Sequence, residues 1–160
     1  MGLPACRIHK LFINLHGMSI FHGHTMQNMN PIEHIRKLID QDVFDYQVLM
    51  WALSDYQKPR DVVTRLLKKG HVVRIRKGLY IFGELYRRKP IPQELLANLI
   101  YGPSLISLDY ALSYYGLIPE RVFEFTSITT GRSRVIQTPV GRYSYHQVSI
   151  PRMAIGAIQI

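Results

Sequence analysis

Lys58, Arg60, Arg65, Lys68, Lys69, Arg74, Arg76 and Lys77 set eight cations into twenty consecutive positions, with Asp61 the only acid among them. Running on to Lys89 adds Arg87, Arg88 and Lys89 against Glu84, which brings residues 58–89 to a net +9. The whole chain is also +9, so the remaining residues sum to zero. Charge concentrated in this way marks a surface for a polyanion, and a phosphate backbone is the commonest polyanion. A basic face kept only for solubility leaves the clustering unexplained.

Residue type divides the chemistry within the cluster. Arginine pairs bidentately with guanine O6 and N7, a contact that discriminates bases by about 1–3 kcal/mol. Arg60 and Arg65 are therefore the base-edge candidates, together with Thr64, whose methyl suits a thymine methyl. Lysine is a point charge that positions a duplex, which assigns Lys58 and Lys68 to phosphates. Arg74, Arg76 and Lys77 are candidates for phosphate or minor-groove contact. Tyr80 is a candidate for backbone contact, but packing is the expected role of a hairpin tyrosine.

These side chains need a frame, and hydrophobic spacing outlines one. Pro31 suits a first helical turn, and Ile32, Ile35, Leu38 and Ile39 follow on one face. Residues 40–42 break that helix. A second is expected over 43–53, burying Phe44, Val48, Trp51 and Ala52, with Asp45 in its first turn. Pro59 opens a third, in which Val62, Val63, Leu66 and Leu67 face inward and Gly70 is the left-handed stop. From 71 to 82 the period becomes two: Val73 and Ile75 alternate with Arg74 and Arg76, and Leu79 and Ile81 with Tyr80 and Phe82. Lys77 and Gly78 make the reversal. Helix, helix, short turn, basic helix and basic hairpin is the order of a winged helix-turn-helix over residues 30–86, whose second paired helix enters a major groove.

Two prolines and three bases over residues 87–92 suggest a boundary. Beyond it, residues 91–160 read as a small α+β module of two helices and a short antiparallel sheet. One helix covers 93–101. The next is capped by Ser107, turns Leu108, Ala111, Leu112 and Tyr115 inward and ends at Gly116. A strand over 122–129 places Phe123 and Phe125 on one side, and 134–138 with 142–148 make a hairpin about Pro139, Val140 and Gly141. The fold class is α+β.

Composition closes other routes. A chain 47% hydrophobic and 19% charged is too apolar for a disordered basic tail. Cys6 is alone, which excludes an internal disulfide and a cysteine-based zinc site and fits a reducing cytoplasm. No run approaches eighteen apolar residues, the length a membrane span needs. Residues 1–29 are expected to be a poorly structured extension, with Met26 or Met29 the expected natural start. His9, His16, His22 and His24 lie there without the folded frame a metal site requires, so no metal is expected. Ser107, Asp109 and Ser113 have no histidine near them in sequence, and Asp109, Glu120 and Glu124 show no paired spacing for metal-assisted chemistry. The residues point to no enzyme and no cofactor.

A longer pattern sits outside the basic cluster. YGPSLISLDYALSYYGLIPE (101–120), TSITTGR (126–132) and TPVGRYSY (138–145) together resemble the AbiEi-type antitoxin family of type IV toxin–antitoxin systems. RIRKGLY (74–80) resembles that family's wing, so the resemblance covers about residues 31–155. It implies a bacterial transcriptional repressor that binds double-stranded DNA at its own promoter and counteracts a nucleotidyltransferase-like toxin, without requiring a stable complex. The family continues past the strand that here ends near Val148, which implies a truncated or frame-shifted member. A second function class stays open: an RNA- or protein-binding module that uses the basic face.

Overall fold

The computed structural model describes residues 30–154, so the readings for residues 1–29 lie outside the described residues. Asn30 opens the first helix by accepting the Ile32 N–H, and Pro31 follows where its missing N–H has no partner to lose. The result is α1 (Pro31–Leu38), with Ile32, Ile35 and Ile39 buried and Leu38, expected beside them, exposed.

The next segment corrects the expected helix over 43–53. Val43, Phe44 and Asp45 form strand β1 (Val43–Asp45), and α2 (Tyr46–Ala52) starts only afterwards. Asp45 decides the boundary: its carboxylate accepts the Val48 N–H at 2.8 Å, the bond of an N-cap rather than of a first-turn residue. Val43 and Phe44, released from the helix, pair with the later hairpin as β-formers do. Leu49, Ala52 and Leu53 become the buried stripe, and Trp51, expected within it, is 43% exposed.

α3 (Pro59–Lys68) begins at Pro59 as expected and buries Val62, Val63 and Leu66. Gly70, at φ +68°, turns the chain into β2 (Val72–Arg76), and Lys77 and Gly78 reverse it into β3 (Leu79–Phe82). The antiparallel sheet runs β1-β3-β2, which makes β3 central. All four β3 residues are buried because both faces of this strand are covered. Tyr80 and Phe82 join the core of α1, α2 and α3. Leu79 and Ile81 join a second core with Ile75, Leu96, Ala97, Ile100, Tyr143 and Tyr145.

That second core comes from the second half of the chain. α4 (Gln93–Ile100), β4 (Ser104–Ile106), α5 (Leu108–Tyr114), β5 (Phe125–Thr129), β6 (Arg134–Thr138), β7 (Gly141–Gln147) and α6 (Ile150–Ala154) follow in order. The sheet runs β4-β5-β7-β6, and β5 pairs with β7 in parallel, so it is mixed rather than antiparallel. Placing β7 inside buries Tyr143 and Tyr145, and the Tyr145 hydroxyl donates to the Ala97 carbonyl at 2.7 Å. Burial raises the Tyr145 pKa to about 12. β6, which carries Arg134, Val135 and Gln137 outward, takes the edge.

Three further expectations change here. Ser107 makes no capping bond; the Thr126 hydroxyl instead accepts the Tyr110 N–H at 3.0 Å and donates to the Ser107 carbonyl. α5 buries none of its residues, and Leu108, Leu112 and Tyr115 face solvent. The strand expected from 122 starts at Phe125 and leaves Phe123 exposed.

The segment over 87–92 is a tethered strap. The Asp42 carboxylate accepts the N–H groups of Arg88 and Lys89, the latter at 2.9 Å, and pairs with Arg36 at 2.9 Å. Arg36 lies 4.4 Å from the centroid of the Phe82 ring, and Arg88 pairs with Asp40. Burial lowers the Arg36 pKa while Asp42 pulls it back up.

A core shared across the strap predicts that Leu96→Ala, in the second half, lowers stability by about 2–5 kcal/mol. Trp51, the single tryptophan, reports on the first half. A urea titration followed by its fluorescence is expected to shift with Leu96→Ala; an unmoved transition would mean that the halves unfold separately.

Candidate polyanion interface

α3 carries the densest part of the basic cluster, and its geometry follows from the buried row. With Val62, Val63 and Leu66 inward, helical spacing stacks Asp61, Thr64 and Lys68 along the opposite line. Arg60 and Arg65 fall on the two flanks. All five are exposed. The Thr64 hydroxyl donates back to the Arg60 carbonyl at 3.0 Å, which leaves its methyl and an oxygen lone pair outward. Lys58 precedes the helix and is exposed. Arg65 and Lys69, with His71, line a crevice of about 90 Å³ against Asn30 and Pro31 at the start of α1.

The hairpin is pinned close to this helix. Gly83 donates its N–H to the His71 carbonyl at 2.8 Å, and a side chain at Gly83 would strike the Gly70 carbonyl oxygen. The Tyr46 N–H donates to the Gly78 carbonyl at 3.1 Å, so the hairpin tip rests against the start of α2. The hairpin is therefore short and braced at both ends.

Bracing separates the three wing cations. Arg74 stands opposite Tyr80 in the register, and Tyr80 belongs to the core under the helices. Arg74 thus lies on the helical side of the sheet, on the edge strand that packs against α3. A β-bulge between Arg74 and Arg76 resets the alternation and puts Arg76 opposite Leu79, whose face belongs to α4. The Arg76 guanidinium donates to the Ile100 carbonyl at the end of α4. Lys77 is exposed at the tip. Tyr80 packs, stacked near Phe44.

Electrostatically the surface is uncompensated. Among the described residues the ion pairs are Arg36 with Asp42, Arg88 with Asp40 and Arg142 with Glu124. None involves Lys58, Arg60, Arg65, Lys68, Arg74, Arg76 or Lys77. Asp61 and Arg65, although one helical turn apart, do not pair. The structure therefore exposes Arg60, Thr64, Arg65 and Lys68 on α3, Lys58 just before it, Arg74 on the strand packed against it and Lys77 at the hairpin tip, while the Arg76 guanidinium is held by the Ile100 carbonyl.

Sequence reading counts Lys69 in the basic cluster without giving it a role, and leaves His71 out. Lys69 and His71 flank the crevice with Arg65, and the signal for them was the last turn of α3 and its Gly70 stop. Asp42 was read only as a helix breaker. Nothing local to residues 40–42 indicates a strap forty-odd residues away, which becomes apparent only from the hydrogen bonds.

No group of three His, Cys, Asp or Glu side chains converges among the described residues, and no helix among them is long and apolar enough to cross a membrane. The chain matches no family model, no curated protein and no solved structure.

The difference between Arg74 and Arg76 is open to measurement. Arg76→Ala is expected to lower stability by about 1 kcal/mol through loss of the bond to Ile100. Arg74→Ala, at a solvated position, is expected to stay within about 0.5 kcal/mol of the parent. Parallel urea titrations of the two variants check the assignment.

Proposed function

We propose that the chain is a DNA-binding transcriptional regulator in which residues 31–82 act as a winged helix-turn-helix. The order α1, β1, α2, α3, β2, β3, with the sheet arranged β1-β3-β2, supports this reading. The observation that carries it is the exposed, unpaired set Lys58, Arg60, Arg65, Lys68, Arg74 and Lys77 on α3 and the hairpin beside it. The phosphates of a DNA backbone would supply the counter-charge these side chains lack.

In the proposed complex α3 enters the major groove along its Asp61, Thr64 and Lys68 line. Arg60 and Arg65 reach base edges from the two flanks, and the Thr64 methyl meets a thymine methyl. Lys58, Lys68 and Lys77 hold phosphates. Arg74, on the helical side of the hairpin, follows the adjacent backbone. Arg76 contacts DNA only if it gives up the Ile100 carbonyl.

The resemblance over residues 31–155 extends the proposal to an AbiEi-like type IV antitoxin. Such a protein represses its own operon in the cytoplasm and counteracts a nucleotidyltransferase-like toxin. The proposed chemistry is binding, without catalysis or a cofactor.

The test is a gel shift with the upstream intergenic DNA against scrambled DNA across a salt series. Arg65→Ala is expected to weaken the upstream site more than the scrambled duplex, and Lys77→Ala to weaken both alike. Each lost phosphate contact should flatten the log–log salt dependence by about 0.9. Binding confined to RNA, or to an acidic protein, would reject the reading.

A further inference from the structure

A second surface, far from the basic cluster in sequence, is built from aromatic rings. A cavity of about 320 Å³ opens between α4, α5 and the start of β5, lined by Tyr110, Tyr114, Phe123, Phe125 and Arg121, with Gln93 at its base. The floor is braced. The Tyr110 hydroxyl donates to Glu94 at 2.6 Å, the Tyr110 and Phe125 ring centroids lie 4.9 Å apart, and Phe125 stacks on buried Tyr143 at 5.0 Å. The walls are open: Tyr114 is 62% exposed and Phe123 75%. Two largely exposed rings stand beside two fixed ones, with Tyr114 stacked toward Tyr110 at 6.4 Å, so the slot is open mainly along Tyr114 and Phe123.

Among the described residues Arg121 is the one charged side chain that lines the slot. The Arg121 guanidinium carbon sits 5.3 Å from the Phe123 ring centroid, and Arg121 forms no ion pair among the described residues. No carboxylate among the described residues lines the cavity, and the charge of Glu94 lies behind Tyr110. Glu94 accepts the Tyr110 hydroxyl, and Glu124 pairs with Arg142 at 3.2 Å. An aromatic cage for a quaternary ammonium needs the opposite, negative surroundings and no resident cation. Ring faces beside a guanidinium instead suit a flat ligand with an anionic group, stacked on the rings and paired with the arginine. The volume lies at the lower end of small-ligand sites, about 300–1,000 Å³.

We propose that this cavity binds a planar heterocycle carrying a phosphate, the chemistry of a nucleoside monophosphate. Phe123 and Tyr114 clasp the base over Tyr110 and Phe125, and Arg121 holds the phosphate. The site does not depend on the DNA-binding reading, because none of its residues belongs to α3 or the hairpin.

The probe is adenosine 5′-monophosphate, titrated calorimetrically against the whole protein beside adenosine and ribose 5-phosphate. Adenosine is expected to bind about tenfold more weakly than the monophosphate, and ribose 5-phosphate not at all. Phe123→Ala should abolish binding of both adenine ligands. Arg121→Gln should bring the monophosphate to adenosine's level and leave adenosine unchanged. Both side chains are exposed, so unaltered urea midpoints would verify that the variants fold. A short single-stranded oligodeoxyadenylate that competes more tightly than the monophosphate assigns the slot to an unpaired base of a strand; weaker competition assigns it to the free nucleotide.

Failure to bind the monophosphate overturns the proposal. So does binding that survives Phe123→Ala but falls in Lys68→Ala, which would place the anion on α3. A dimer that Phe123→Ala dissociates, without any nucleotide binding, would give the patch to a second copy of the chain.

Discussion

The structure turns on β3, four residues covered on both faces. A central strand in a three-stranded sheet usually leaves one side to water or to a loose layer. Here Tyr80 and Phe82 close the core of three helices, while Leu79 and Ile81 close another against α4 and the tyrosines of β7. Period-two alternation normally separates an inside from an outside. In this strand it separates two insides, and every residue has a packing role. The hairpin that bears the wing cations is thereby held between the two halves of the chain.

That arrangement constrains the basic surface. A free wing can swing toward a ligand, whereas this one is fixed by Gly83 on His71, by Gly78 on Tyr46 and by Arg76 on Ile100. Asp42 reinforces it from below through the strap, with Arg36 stacked on Phe82. Pre-organisation of this kind spares the ordering cost that a mobile hairpin would meet on binding. It also sets reach, because only side chains that already project from α3, Arg74 and the tip are available without rearrangement.

Much of this was legible in the sequence where local physics decides. Pro31 and Pro59 at first turns, Gly70 and Gly78 at positive φ, and the inward rows of α1 and α3 depend on neighbours a few residues apart. The misreadings share a different cause. Phe44 and Val43 fit a helical stripe as well as a strand, and only pairing with Ile81 and Tyr80, far along the chain, selects the strand. The parallel β5–β7 contact likewise follows from burying Tyr143 and Tyr145 against α4, which no hairpin pattern encodes. The spacing of α5 predicts a core face, yet none of its residues is buried and Leu108 and Leu112 are exposed. For the candidate interface, residue type and position were readable, but orientation was not. A single bulge separates Arg74 from Arg76, and alternation alone treats them alike.

The basic helix is costly to its own fold, and the cost is informative. Arg65, Lys68 and Lys69 lie three and four positions apart, where like charges repel by a few tenths of a kcal/mol per pair. Position in the last turn offsets part of this through the helix dipole, but Asp61 does not relieve it by pairing with Arg65. Outside this surface Arg36, Arg88 and Arg142 pair with Asp42, Asp40 and Glu124, while Arg87, Arg121, Arg132 and Arg134 form no ion pair among the described residues. The unpaired cations of α3, set three and four positions apart on one short helix, are the feature on which the polyanion-binding proposal rests.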